Sequence, residues 1–376
     1  VRFTMTSESQ LQVPVIDLSA VESEALLVEQ IANACSEFGF FQVTSHGIPS
    51  ELVEKYKEQC KLYFALPYET KLQWKRNEGN ARGFFDDELT KQRRDWKQAL
   101  DFGVPGSRDW STPDDSPANT CLDGWNQLPS EEILPEFRST VTNYFDACAD
   151  LSDRIAIIMA KGLGQSPDCE ILKELRENHS SYLRVNYYPT CNESDETGRT
   201  PLGISPHRDA GFLTVLLQDD NCHSLQVYKD GNWITVEPVK GAFTINTGDM
   251  AQIFSNGKYN APLHRVLSNE TKERYSAPFF YNPSYDTLVK PLVSEGQDAV
   301  YNKVSWGYFR AVRFAGDLTD LGVEIQTDHF LVDQPSQHLP KQDIFLKEAD
   351  FRVPFSVLKY RPLLTSQEEN SAAAGQ

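Results

Sequence analysis

His207 and Asp209 stand at i and i+2 in SPHRDAGFLTVL, just before a run of β-forming residues. Strand side chains alternate faces, so positions two apart point the same way. An imidazole and a carboxylate aimed into one cavity are two metal ligands that need a third. His264, in the strand-like HRVLS, is the natural partner on a different strand. Two histidines and one carboxylate on one face of an octahedron suit non-haem Fe(II) and leave positions open. The set is too poor in oxygen for Mg²⁺ or Ca²⁺. Zinc tolerates it and is the competing metal. Taken alone, a His-x-Asp pair is a weak signal.

Two more polar pairs repeat the same spacing. Arg274 and Ser276 (RYS) follow shortly after His264. A guanidinium beside a hydroxyl suits a carboxylate, as a planar fork with one extra donor. Asn186 and Tyr188 (NYY) lie on the strand before His207. Exposed strand residues would explain any one pair. Three pairs inside one β core would be costly without ligands to satisfy them.

The elements that must position these residues fall in order along the chain. Residues 13–19 read as a short strand, and 22–38 as a helix with Leu26, Leu27, Ile31, Ala34 and Cys35 on one face. Residues 39–49 read as a strand closed by a Gly-Ile-Pro turn, and 50–64 as a second helix. A long helix covers 130–163, with Pro135 delaying its start by a turn. Residues 77–126 look loop-dominated. After Ser180 the character changes. Runs at 182–188, 211–218, 224–236, 241–247, 251–255, 264–268 and 276–282 read as short strands punctuated by turns such as KDGN and SNGK. Residues 306–321 read as helical again. The fold expected is α+β, an antiparallel sandwich, barrel or jelly roll flanked by helices.

Composition removes several function classes. Thirty-six Lys and Arg against 54 Asp and Glu give a net charge of −18. That argues against a nucleic-acid partner and against anionic membranes. The longest apolar runs fall far short of the roughly 18 residues that span a bilayer. The opening VRFTMTSESQ is too polar for a secretory leader. Seven scattered cysteines with no Cys-x-x-Cys pair read as reduced thiols in the cytoplasm.

The segments FGFFQVTSHGIP, NYYP, HRDAGFLTVLLQDD, LQVYKDGNWITVEPVKGAFTINTGDMAQIFSNGKY and LHRVLSNETKERYSAPFFYNP together resemble the 2-oxoglutarate/Fe(II)-dependent dioxygenases of the isopenicillin N synthase-like, plant-type class. The similarity runs from about Val13 to about Phe330. It implies a double-stranded β-helix, or jelly roll, flanked by helices. It implies an N-terminal region over 12–170, the jelly-roll core over 180–290, a helical extension over 291–362 and a frayed tail over 363–376. By this resemblance His207, Asp209 and His264 bind iron. Arg274 and Ser276 hold the distal carboxylate of 2-oxoglutarate, with Tyr188 and Asn186 assisting. The resemblance further implies consumption of O₂ and 2-oxoglutarate, with succinate and CO₂ as co-products. The outcome would be hydroxylation, desaturation or oxidative cyclisation of a small-molecule metabolite. The family's usual form is a monomer.

The substrate contacts expected lie on N-terminal loops and the C-terminal helix. Arg82, Phe84 and Phe85 (NARGFFDD) are candidates, as are Arg93, Arg94 and Trp96 (RRDWK) and Phe309 and Phe314. Basic residues there would suit an acidic substrate, although a solvated charge run is the ordinary reading. Arg208, between two ligands, should point away from the metal. His46, in SHGIP, reads as a turn or supporting histidine. Two other functions compete: an iron and O₂ oxidase of the same fold that dispenses with 2-oxoglutarate, and a non-catalytic jelly roll used for binding.

Overall fold

The computed structural model describes residues 12–19, 23–77, 80–90, 93–104, 124–192, 200–318 and 325–333. The expected tail over 363–376 and the part of the helical extension at 319–324 and 334–362 lie outside these residues. Two sheets make the core. The larger runs Val15–Asp17, Phe40–Thr44, Phe243–Thr247, Leu213–Gln218, Arg274–Tyr281, Tyr182–Tyr188, Gln98–Gly103 and Gly83–Phe85. All its neighbours are antiparallel except Val15–Asp17 with Phe40–Thr44. The smaller runs Asn232–Thr235, Leu225–Lys229, His264–Leu267 and Leu202–His207. This is the expected α+β jelly-roll architecture.

Alternation along the strands sorts side chains between two compartments. Phe40, Tyr188 and Leu216 of the large sheet meet Leu225, Val227 and Val266 of the small one. Phe41, Val43, Val215, Ile245 and Phe279 face the other way. There they pack with Leu27 and Ile31 of helix Glu24–Glu37 and with Leu151, Ile155 and Met159 of helix Phe137–Gly162. Ser23 caps the first of these helices, accepting a hydrogen bond from the Leu26 amide at 3.3 Å. The helices cover one face of the large sheet, so the space between the sheets is left for chemistry.

Three segments differ from expectation. The described part of 77–126 is not mainly loop: Gly83–Phe85 and Gln98–Gly103 extend the large sheet. Gln98–Gly103 is buried along nearly its whole length, so it lacks the alternation that marks a half-exposed strand. The run at 251–255 is no strand; it belongs to helix Asp249–Phe254. A run of five residues is too short to show a period that separates the two. Leu202–His207 is a strand that the sequence hides behind Gly203 and Pro206. His207 therefore ends a strand and Asp209 lies in the following loop, not on one pleated face. Residues 224–236 form two strands, and the KDGN turn read from the sequence joins them, with Asp230 and Gly231 at φ of 49° and 84°.

The Asp249–Phe254 helix holds the Asp209 loop. Its first amides donate to loop carbonyls, Asp249 to Asp209 at 2.8 Å and Met250 to Gly211 at 3.0 Å. The approach needs Gly248, where an added Cβ would stand 2.2 Å from the Gly211 carbonyl oxygen and 3.0 Å from that of Asp209. Gly248→Ala is expected to cost roughly 1–3 kcal/mol of stability by overpacking. It should also weaken iron binding, because the same contact positions Asp209. Thermal unfolding and iron titration read the two effects; a variant unchanged in both would contradict this role.

Candidate active site

His207 and His264 are direct cross-strand partners at the ends of their strands. Their rings lie 4.2 Å apart between centroids. His207 Nδ1 faces the Ser205 carbonyl at 2.8 Å, and His264 Nδ1 faces that of Pro262 at 3.1 Å. A ring nitrogen facing a carbonyl carries the proton, which leaves each Nε2 with a free lone pair. Both Nε2 atoms lie 3.6 Å from Asp209 Oδ1. The three ligand atoms fall within 4.8 Å of one another.

The Asp209 carboxylate is fixed through its other oxygen. Oδ2 accepts from Thr214 Oγ1 at 2.6 Å and from Asn246 Nδ2 at 2.7 Å. Burial works to raise its pKa, but His264, His207 and these two donors outweigh burial and hold it below the usual carboxylate range. Burial first, and then His264, push the His207 imidazole down to about 3. One carboxylate oxygen and the Nε2 atoms of two imidazoles thus converge on one point. That donor set fits a divalent transition metal.

Arg274 and Ser276 face the same cavity across from Tyr188 and Asn186, their register partners. Asn186 Nδ2 reaches Ser276 Oγ at 3.5 Å, and the Arg274 guanidinium sits 5.0 Å from the Tyr188 ring centre. Arg274 is 2% exposed. Among the described residues its Nε and Nη1, the Tyr188 hydroxyl and Asn186 Oδ1 have no hydrogen-bond partner. A buried guanidinium without acceptors is costly, and a carboxylate supplies what it lacks. The residues present therefore fit both iron and the dicarboxylate co-substrate.

The cavity measures about 160 Å³ and lies between the two sheets. The triad, Arg274, Ser276, Asn186 and Tyr188 all line it. The expected substrate residues do not. Arg82, Phe84, Phe85, Phe309 and Phe314 are fully buried in packing, and Arg93 and Arg94 are exposed. The Arg94 guanidinium donates to the Asp86 carbonyl. Trp96 donates its indole N–H to the Pro189 carbonyl at 3.2 Å. The Arg208 guanidinium donates to the Ala261 carbonyl at the cavity rim. His46 closes its own turn, accepting from the Ile48 amide at 3.1 Å.

Sequence reasoning missed the polar wall of this cavity. Glu88, Lys97, Tyr182, Arg184, Arg310 and Asp317 form much of it. Lys97 pairs with Glu88 at 2.5 Å and with Asp95 at 3.0 Å. Arg184 grips Asp101 through two bonds of 2.7 and 2.9 Å and Glu88 through one of 3.0 Å. Burial opposes the Glu88 charge, yet Arg184, Lys97 and Arg76 outweigh it and keep the carboxyl well below its ordinary range. The same wall steadies a metal ligand: Asp95 Oδ1 accepts from the Ser205 amide at 3.2 Å, and the Ser205 carbonyl holds His207.

Comparison with known proteins agrees with this geometry. Residues 179–283 match the 2OG-Fe(II) oxygenase superfamily, and residues 13–131 match the N-terminal region of non-haem dioxygenases in morphine synthesis. Jasmonate-induced oxygenase 2 of Arabidopsis thaliana is 33% identical over 322 residues, covering 82% of this chain and 80% of that one. Homoarginine-6-hydroxylase 2-ODD-C23 of Glycine max is 33% identical, over 77% of this chain and 91% of its own. Among solved structures, JOX2 in complex with 2OG, Fe and JA matches with a TM-score of 0.67 at 31% identity, over 80% of this chain and 84% of that one. The chain belongs to the 2-oxoglutarate/Fe(II)-dependent oxygenase superfamily. It is an oxidoreductase that uses iron and 2-oxoglutarate.

Two sets of variants test the site. Thr214→Val and Asn246→Ala should each weaken iron affinity about 10–100-fold, because the groups that orient a ligand tune its metal. Arg274→Ala should leave iron binding intact and weaken 2-oxoglutarate by at least roughly 30-fold, the range for truncating a buried charged partner. Equilibrium dialysis separates these effects. Unchanged iron affinity in the first pair, or iron loss in the third variant, would refute the division of labour.

Proposed function

We propose that the chain oxidises an unactivated C–H bond of a small organic molecule bound between its two sheets, by hydroxylation, desaturation or oxidative cyclisation. The observation that carries this reading is the meeting, in one cavity, of a three-ligand cluster and a buried guanidinium without acceptors. His207, Asp209 and His264 hold the iron. Arg274 and Ser276 receive the distal carboxylate of 2-oxoglutarate, with Asn186 and Tyr188 beside it. Iron with 2-oxoglutarate and O₂ supplies oxidation of the C–H bond, coupled to conversion of the co-substrate to succinate and CO₂. The protein's part is positional. Thr214 and Asn246 keep the Asp209 carboxylate turned so that one oxygen remains free for metal. Leu216, Leu225 and Val266 wall the cavity with apolar surface and limit water at the reacting centre. Cys35, Cys60, Cys148, Cys169, Cys191 and Cys222 carry free thiols, which supports a reducing, cytosol-like compartment. No helix among the described residues is long and apolar enough to cross a membrane.

Incubation with Fe(II), 2-oxoglutarate, O₂ and a library of small organic molecules tests the reading. A substrate should stimulate succinate release and, per succinate formed, either gain one oxygen atom or lose two hydrogen atoms. Oxidation of a compound without 2-oxoglutarate, or succinate release that no compound stimulates, would contradict it.

A further inference from the structure

The cavity wall is cationic in a chain whose net charge is −18. Lys97, Arg184, Arg208, Arg274, Arg310 and Arg313 line it, against Glu88 and Asp317 besides the ligand Asp209. Most of these cations are already satisfied. Lys97 and Arg184 are held by Glu88, Asp95 and Asp101. Arg208 donates to the Ala261 carbonyl, and Arg313 donates to the carbonyls of Ile325 and Arg208 at 3.2 and 2.8 Å. Arg274 is the residue proposed above to receive the co-substrate.

Arg310 differs. It is 6% exposed and, among the described residues, its guanidinium makes no hydrogen bond. Its one ion pair, to Asp317 Oδ2, is 3.8 Å long, beyond hydrogen-bond reach. The Tyr182 and Phe314 rings flank its guanidinium at 5.4 and 5.5 Å. A guanidinium is always charged and presents five donors. Held between rings at a cavity wall, it is aimed and lacks acceptors.

We infer that Arg310 is the recognition point for a carboxylate on the substrate, whose apolar body lies along Tyr182, Phe280 and Trp306. The inference rests on the oxygenase reading and names the substrate class of that same cavity: a small organic acid with an aromatic or aliphatic body. A cationic substrate fits less well. Glu88 is already surrounded by Lys97, Arg184 and Arg76, and Asp317 has Arg310 as its neighbour. Asp317 serves as a loose counter-ion that keeps Arg310 from being wholly uncompensated before the acid binds.

The test uses the whole protein loaded anaerobically with Fe(II) and saturating 2-oxoglutarate, so that Arg274 is filled. Aryl- and alkyl-carboxylic acids, each with its matched primary amide and primary amine, are titrated by intrinsic tryptophan fluorescence. Acids should bind saturably and at least about tenfold tighter than their amides and amines, as expected for a desolvated charged pair. Arg310→Gln should lose that preference by weakening the acids and sparing the amides. The wild-type comparison of acid with amide stands even if the variant misfolds. Amides or amines binding as tightly as acids would overturn the proposal. So would acid affinity unchanged in Arg310→Gln, or no acid binding at all. If 2-oxoglutarate fails to bind the iron-loaded protein, the oxygenase reading fails. Acid titration of the iron-free protein then still decides the role of Arg310.

Discussion

The two oxygens of Asp209 do different work, and the rest of the structure serves that separation. Thr214 and Asn246 take Oδ2, so Oδ1 alone faces the two histidines. Thr214 and Asn246 come from adjacent strands of the large sheet and are themselves register partners. The histidines come from adjacent strands of the small sheet. The ligand set exists only when the two sheets close on each other. The apolar contacts of Phe40, Tyr188 and Leu216 with Leu225, Val227 and Val266 bring them together. Folding energy is thereby used to bring ligand atoms close before any metal arrives.

A buried charge network ties the N-terminal part of the chain to this core. Asp101 and Arg184 face each other across paired strands, and Glu88 and Lys97 extend the network to the cavity. Buried ion pairs add little net stability over apolar packing, but losing one partner strands the other. The network therefore acts as a specification of geometry. Through Asp95 and Ser205 it reaches the ring of His207. Residues far ahead of the metal ligands in sequence thus help to aim one of them.

That the triad and the Arg274–Ser276 pair share one cavity was legible because their chemistry is rare and their spacing is short. The reason given for His207 and Asp209 needs amending. They converge because the Asp249–Phe254 helix grips the loop between the strands, not because one pleat points them the same way. Thr214 and Asn246 were hidden, since a threonine and an asparagine in apolar strands read as ordinary until the fold sets them beside a carboxylate. The cavity wall was hidden for a related reason. Charged residues in a local stretch such as RRDWK read as one group, but the fold sends Arg94 to the surface and Lys97 to the cavity. Arg310 lies between Phe309 and Phe314, which the sequence offered as substrate candidates instead, and burial of a cation is visible only in three dimensions. Segments without periodicity, such as Ala251–Ser255, left the choice of helix or strand to tertiary contacts.

The most direct test of the central claim is anaerobic titration of the Fe(II)-loaded protein with 2-oxoglutarate, followed by visible absorption, in wild type and Arg274→Ala. If the Asp209-centred triad holds iron beside an acceptor-free guanidinium, a weak charge-transfer band should grow and saturate in wild type. In the variant it should require far more 2-oxoglutarate. Iron binding with no band, or a band indifferent to Arg274, would contradict the account.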